Sequence, residues 1–278
     1  MKFPLVTIVT PSYNQAKFLE ATILSVLNQD YKNIEYIIID GGSTDGSVDI
    51  IKKYEPKLAF WKSESDKGQS HAINKGFLQA KGQIFNWLNS DDILMPSAVS
   101  IAIRYLLQNP LIGMVFGDRV VINRKNQIIR IEEYPTFSKN CFRIDPCLAQ
   151  ETSFFRKELW EKSEGLDESL HFSMDTDLWF KFLRQKSIIY HIPFILGVWR
   201  EHGLSKSFLE YDDELKRGKG FFECEKLKDK YLGSIEKLIY MRKVFHKINK
   251  TRLLIEKSLN LRKREILEIS KNLKQEDL

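Results

Sequence analysis

The sequence predicts an α/β fold whose first hundred residues form a Rossmann-like half, and three observations carry that expectation. Four short apolar runs rich in β-branched residues, Leu5 to Thr10, Ile34 to Asp40, Leu58 to Ser63 and Gln83 to Asn89, have the length and composition of buried strands. Between them apolar residues recur at helical spacing, as Leu19, Ile23, Val26 and Leu27 and again as Ala72, Ile73, Phe77 and Ala80. Polar loops rich in Gly, Ser and Asp follow the runs. A strand, helix, strand alternation of this kind requires a parallel sheet with crossover helices.

The remaining elements follow in order. Pro96 suits the first turn of a helix whose apolar face is Ala98, Ile101, Ala102, Tyr105 and Leu106. Residues 114 to 134 read as two strands joined by a turn near Asn123 to Asn126. A strand from Thr152 to Arg156, a helix from about Asp175 to Arg184, and strands near 188 to 192 and 194 to 200 complete a mixed sheet flanked by helices, so residues 1–205 are expected to form one domain. Residues 206–278 read as a basic helical C-terminal extension. Between Ser234 and Leu278 there is neither Gly nor Pro, and Leu238, Met241, Phe245, Ile248, Ile255 and Leu259 belong to a heptad-like seam interrupted by Arg252 and Arg262. A helix lying on its own domain and a self-association helix both fit that seam.

Composition narrows the class. With 43% hydrophobic residues among 278, including 5 Trp, 10 Tyr and 18 Phe, the chain can bury a large core, which excludes overall disorder. The start MKFPLVTIVTPSYN has no basic segment followed by an apolar stretch and a small-residue cleavage site, so no leader is expected. The most apolar stretch, Ile188 to Trp199, is shorter than the roughly 20 residues a spanning helix needs. Cys141, Cys147 and Cys224 are odd in number and show no CxxC spacing, which argues against a disulfide framework or a zinc site and for a cytoplasmic chain. The net charge of +6 lies in the tail: residues 1 to 205 carry 24 basic and 24 acidic side chains, residues 206 to 278 carry 19 and 13. Such a tail suits peripheral contact at the inner face of the cell membrane, an acidic partner, or a plain solvated helix face. No nucleic-acid motif is present.

Chemistry concentrates at the strand ends. Asn89-Ser90-Asp91-Asp92 follows the fourth run, and ligands in open α/β sheets bind at the carboxyl ends of strands. Two carboxylates there suit a divalent cation of the magnesium or manganese kind, which needs only one or two carboxylates with phosphates and waters. A helix cap is the plainer use of such a turn. Asp40 ends the second run and is followed by Gly41-Gly42-Ser43-Thr44-Asp45-Gly46-Ser47; it is placed to meet a ribose hydroxyl or a base edge, while Ser43, Asp45 or Ser47 can cap the next helix. Thr10-Pro11-Ser12-Tyr13-Asn14 and the loop beginning Asp66-Lys67-Gly68-Gln69-Ser70-His71 occupy equivalent places, so four polar loops point at one rim. Lys67 suits a phosphate or a base, and His71 reads as a helix-surface residue.

The segments VTIVTPSYNQAKFLEATILSVLNQ, IEYIIIDGGSTDGS, DKGQSHAINKG, WLNSDD, QETSFFR, GLDESL and MDTDLWFKF occur in the order found in glycosyltransferase family 2, the inverting family with the GT-A fold, which residues 5 to about 202 resemble. The resemblance implies that Asp92 binds the metal bridging a donor diphosphate, Mn2+ or Mg2+, with Asp91 near the ribose. It implies that Pro11, Tyr13 and Asp40 contact the donor nucleotide and that Asp175 is the catalytic base. In VWREHGLS, which is similar to the family's R-x-H element, His202 is expected to close over the diphosphate or take a metal position. Many members carry two acids after the second strand where this chain has Asp40 and then Gly41, which leaves the base contact unassigned. Met174 likewise stands where Glu is common.

The implied roles are chemically coherent. Departing diphosphate gathers negative charge that a cation can stabilise, and the attacking acceptor hydroxyl must pass its proton to a carboxylate. Asp175 and Asp177, two apart on a helix, cannot face the same way, so Asp177 reads as a structural cap or ion-pair partner. The expected partners are a nucleotide-sugar donor and a saccharide or lipid-linked acceptor in cell-surface polysaccharide synthesis. Competing functions fit less well. A sugar-phosphate nucleotidyltransferase should carry a glycine-rich phosphate loop where PSYNQ stands, and GGSTDGS does not spell the GxGxxG of a dinucleotide enzyme. An inactive carbohydrate-binding protein on the same fold would have little reason to keep Asp40, Asp91, Asp92 and Asp175 together.

Overall fold

The computed structural model describes residues 3–139, 142, 146, 148–202, 211–212 and 217–232. The heptad-like seam beyond Ser234 lies outside the described residues.

In chain order the elements are β1 (Val6–Ser12), α1 (Ala16–Leu27), β2 (Ile34–Asp40), α2 (Ser47–Tyr54), β3 (Phe60–Ser63), α3 (Gln69–Leu78), β4 (Ile84–Trp87), β5 (Ile93–Leu94), α4 (Ala98–Gln108), β6 (Ile112–Asn123), β7 (Ile128–Glu132), β8 (Phe154–Arg156), α5 (Lys157–Ser163), α6 (Met174–Arg184), β9 (Ile188–Glu201), β10 (Tyr211–Asp212), β11 (Arg217–Gly218) and α7 (Lys219–Leu232). β10 and β11 pair as a separate two-stranded ribbon. The other nine strands form one mixed sheet ordered β3-β2-β1-β4-β8-β6-β9-β5, with β7 paired to β6. β3, β2, β1 and β4 run parallel, and β8 is antiparallel to both β4 and β6.

Period-two alternation divides the apolar side chains between the two faces of the sheet. Ile38 belongs to one core with Leu19, Ile23 and Val26 of α1 and with Val99 and Leu106 of α4. Ile37 and Ile39 belong to the opposite core with Ile73 and Phe77 of α3, Trp160 of α5 and Trp179 of α6. Because both faces are covered, the strands read in sequence as nearly continuous apolar runs. Helix α3 approaches β1 so closely that a Cβ on Gly76 would stand 2.4 Å from Val9 Cγ1, and any larger residue there would push the helix off the sheet.

Two expectations need correction. The strands near 188 to 192 and 194 to 200 are one strand, β9. Pro193 does not interrupt it, because the β6 pairing shifts register between Phe116 and Asp118, opposite the stretch from His191 to Ile195, where a residue without an N–H is tolerated. Pro96 precedes α4 instead of sitting in its first turn; Ser97 is the N-cap. Packing also crosses the expected boundary at 205: α7, on the extension side, stacks Tyr231 on Phe180 of α6 at 4.9 Å between ring centroids. Among the described residues no helix is long and apolar enough to cross a membrane.

Candidate active site

β1 has β2 on one side and β4 on the other, so the chain order reverses there and a crevice opens at the carboxyl ends. A cleft of about 840 Å³ occupies it. Pro11, Tyr13, Asp66, Asp91, Asp92 and Asp175 all line this cleft, so six of the expected site residues are brought together. Tyr13 is 63% exposed and presents an open ring face at the rim.

The acidic turn after β4 is held from several sides. The Arg200 backbone N–H donates to Asp92 Oδ1 at 3.0 Å, Asn89 Nδ2 donates to Oδ2 at 3.2 Å, and Arg200 Nε donates to the Asp91 carbonyl at 3.0 Å. Asp92 is 2% exposed, and burial raises its pKa well above the ordinary carboxylate range, with repulsion from Asp91 and Glu151 adding to the effect. Glu151 is also pushed up by burial, against the pull of Arg119. Its Oε1 is buried and accepts no hydrogen bond. A buried carboxylate crowded by two others in this way fits a hard divalent cation. Among the described residues no group of three or more His, Cys, Asp or Glu side chains forms a ready metal cage. Magnesium and manganese sites completed by diphosphate oxygens do not need one.

Asp175, which also lines the cleft, opens the first turn of α6, which is anchored to the sheet by Trp179 stacking on Trp87 at 5.6 Å. The Thr176 N–H donates to Asp175 Oδ1 at 2.6 Å. Burial nevertheless raises the pKa of Asp175 to about 6, the hydrogen bond from Thr176 opposing it. A carboxylate with that pKa is ionised near neutral pH yet basic enough to take a proton from a hydroxyl under attack.

Three expected contacts are placed differently. Asp40 is fully buried and does not line the cleft. Its carboxylate accepts from the Gly42 and Ser43 backbone N–H groups at 3.1 and 2.9 Å and from the Ser43 and Ser63 hydroxyls at 2.5 and 2.7 Å, so it ties the loops after β2 and β3 together from beneath. Lys67 is exposed and lies outside the cleft lining; its backbone N–H donates to His71 Nδ1. His202 Nε2 lies 3.0 Å from Asp91 Oδ2, and its ring packs on Phe18 at 4.7 Å, so it engages the neighbour of the expected metal ligand. Asp177 has the structural role expected of it, bonded to Lys181, Lys230 and Tyr231. Asp45 accepts from the Ser47 N–H, but it also accepts from the Ala16 N–H, so it caps the start of α1 as well as α2.

Sequence reasoning assigned no role to Arg119, Glu151 or Trp199, which also line the cleft. Arg119 pairs with Glu132 at 2.6 Å and Glu151 at 3.5 Å and lies 4.7 Å over the Trp199 ring. The available signal was an Asp-Arg pair inside the apolar run IGMVFGDRVVI, since charge in a buried strand demands partners. Glu151 stood in the quoted QETSFFR segment.

Where Gly41 replaces a second acid, another carboxylate fills the space. A Cβ built on Gly41 would lie 3.0 Å from Asp66 Oδ2, so Asp66 sits directly against the glycine at the cleft wall, its Oδ1 accepting the Gly68 N–H at 2.7 Å.

A switch-point cleft with an acidic turn after β4 on a mixed, helix-flanked sheet defines the GT-A class of α/β proteins. The model for glycosyl transferase family 2 matches residues 7–164, more than half of the chain, and the chain belongs to that family. An uncharacterised glycosyltransferase of Rickettsia typhi is 32% identical over 195 residues, covering 67% of this chain and 61% of that protein. The chain thus spans about three fifths of the length of the first curated relatives it matches. Chondroitin synthase of Pasteurella multocida is 28% identical over 184 residues, 65% of this chain and 19% of that one. Among solved structures, S. aureus TarS residues 1–349 with UDP superposes with a TM-score of 0.62 at 17% identity, covering 82% of this chain and 65% of that one. The mannosyltransferase PcManGT of Pyrobaculum calidifontis, solved with GDP-Man and Mn2+, gives 0.59 at 19% identity over 98% and 86%. At these identities the two structures establish the GT-A fold.

Proposed function

We propose that this chain is an inverting glycosyltransferase that moves a sugar from a nucleotide diphosphate donor to an acceptor hydroxyl in the synthesis of a cell-surface polysaccharide. One observation carries the reading: a single cleft is lined both by the acidic turn Asp91-Asp92 and by Asp175, whose pKa is raised to about 6. The relatedness to a chondroitin synthase supports a polysaccharide product, and the nucleotide-bound states of TarS and PcManGT support the donor class.

On the donor wall Tyr13 and Pro11 flank the nucleotide, Asp91 meets the ribose with His202 bracing it, and Asp66 takes the base contact that the absent second acid would make. Asp40 organises this wall without touching the ligand. Asp92 is the protein ligand of a divalent cation, Mn2+ or Mg2+, which when bound supplies Lewis-acid stabilisation of the departing diphosphate. On the acceptor wall the hydroxyl oxygen of a saccharide or lipid-linked acceptor attacks the anomeric carbon opposite the leaving group. Asp175 removes the hydroxyl proton as the new C–O bond forms and the bond to diphosphate breaks.

Thermal-shift titration of UDP, GDP and their sugars, each with and without manganese, tests donor and metal together. Stabilisation by at least one nucleotide, deeper with manganese, is the expected result. No shift with any of them would overturn the reading.

A further inference from the structure

Helix α7 lies beyond the family match and expands the account of the acceptor wall. Its Glu223 carboxylate accepts three backbone N–H groups from the segment just before α6: His171 at 2.9 Å on Oε1, and Phe172 and Ser173 at 2.7 and 2.6 Å on Oε2. Ser173 is the N-cap of α6 and makes no side-chain cap bond of its own; Glu223, from another helix, takes its N–H together with those of the two residues before it. A carboxylate at a helix N-terminus is doubly favoured, by charge-assisted hydrogen bonds and by the helix dipole. The contact is close-fitting: Ser173 Oγ donates to the Gly220 carbonyl at 3.2 Å, and a Cβ on Gly220 would stand 3.0 Å from Phe172 Cβ. His171, Phe172, Met174 and Asp175 all line the cleft, so the tethered segment is itself cleft wall.

The far end of α7 is fixed too. Tyr231 donates its hydroxyl to Asp177 Oδ1 at 2.7 Å, Lys230 Nζ reaches the same oxygen at 3.1 Å, and the Arg184 guanidinium lies 4.4 Å over the Tyr231 ring. The helix therefore grips α6 on both sides of Asp175, at 171–173 and at 177–184.

We propose that Glu223 is a positioning residue that gathers the 171–173 segment by its three amides and thereby fixes Asp175 at the acceptor side of the cleft. The inference rests on the reading of Asp175 as the base. Glu223 does not touch the reacting atoms. Its loss frees the loop and lets water reach Asp175, which lowers the protonation midpoint of Asp175.

The test uses the full chain, with Glu223→Gln and Glu223→Ala. Hydrogen exchange should show the 171–173 amides losing protection by roughly tenfold or more in Glu223→Ala while amides of β1 and β4 keep theirs. Carboxyl 13C titration of Asp175 should show a midpoint near 6 in the wild type and a lower one in the variants, with Glu223→Gln intermediate because its amide oxygen still accepts. A merely structural Glu223 would lower the melting temperature and protection of the whole fold together and leave the Asp175 midpoint in place. Unchanged protection at 171–173, or an unchanged midpoint in well-folded Glu223→Gln, overturns the proposal. These readouts report geometry alone, so failure of Asp175 as the base, seen as near-normal turnover of Asp175→Asn, is separately visible.

Discussion

On the wall built from β1 to β4, the loops after the first three strands are held largely by one another, while the acidic turn after β4 is also held from far along the chain by Arg200 and His202. Asp40 joins the second loop to the third strand, Ser43 and Asp45 accept from the N–H groups of Asn14 and Ala16, and Gln69 donates to Asn89. Around Asp175 the closure is less local. The segment that carries Asp175 is tied through Ser173 to Glu223 and through Asp177 to Tyr231, about fifty residues downstream. The loops after β1 to β3 are set by the parallel sheet itself, whereas the acidic turn and the Asp175 segment are both held by distant parts of the chain. Asp175 and the acidic turn are therefore more sensitive to changes far from the chemistry than the loops after β1 to β3.

The largest expected effect falls on Asp175. Asp175→Asn keeps the size of the side chain but cannot accept a proton, so transfer should fall by roughly 10² to 10⁴ while nucleotide affinity stays near wild type. Near-normal turnover would leave Asp175 as a helix cap only. The raised pKa fixes two signs. Activity should decline as pH falls through about 6, where Asp175 takes up its proton. Because the folded state binds that proton more tightly than the unfolded chain, ionisation of Asp175 costs stability at pH values above its unfolded pKa, and Asp175→Asn should melt no lower than wild type at pH 7.5.

The next effect belongs to the first wall. Asp92→Ala should abolish the manganese dependence of nucleotide binding and leave the fold intact, since it also relieves a crowded, buried carboxylate. Retained manganese dependence in calorimetry would move the cation elsewhere. Asp40→Ala should act through the loops instead. Removing an acceptor of four hydrogen bonds strands the Gly42 and Ser43 N–H groups, a loss of about 3 kcal/mol in denaturant unfolding, with nucleotide binding weakened only indirectly. A variant as stable as wild type but unable to bind nucleotide would restore Asp40 to direct contact.

The same asymmetry governs what the sequence made legible. β2 and α6 lie within one residue of their expected positions, because an apolar run ending at Asp40 and the amphipathic MDTDLWFKF leave little choice. The acidic turn and Asp175 stood in recognisable segments. The sequence reads β9 as two pieces, and the register shift that lets one strand run through Pro193 is a property of the pairing with β6. Which way Asp40 faces could not be read from its position at a strand end, since burial depends on Ser63 and Ser43 closing around it. Glu223 carries no local signal at all: a glutamate on a charged helix is ordinary until the N-terminus of another helix is brought against it.

The smallest expected effect concerns the base contact, where Gly41 and Asp66 share one space. Asp66→Asn removes a charged acceptor at the cleft wall, which should cost about 1.5–3 kcal/mol with a base bearing a ring N–H, uracil or guanine, and much less with cytosine or adenine. Gly41→Ala is the finer probe. Its new Cβ would meet Asp66 Oδ2 at 3.0 Å, and because the obstacle is the end of a side chain, Asp66 can yield by a few tenths of an ångström. Gly41 does not need a left-handed backbone, so alanine should leave stability within about 1 kcal/mol of wild type. Displacing the carboxylate should still weaken the preferred nucleotide by up to about fivefold and narrow its margin over CDP or ADP. Competition between UDP or GDP and CDP, measured on wild type and Gly41→Ala in parallel, decides the matter. An unchanged margin in both variants would show that the base is read elsewhere and that Asp66 serves only to close the loop onto Gly68.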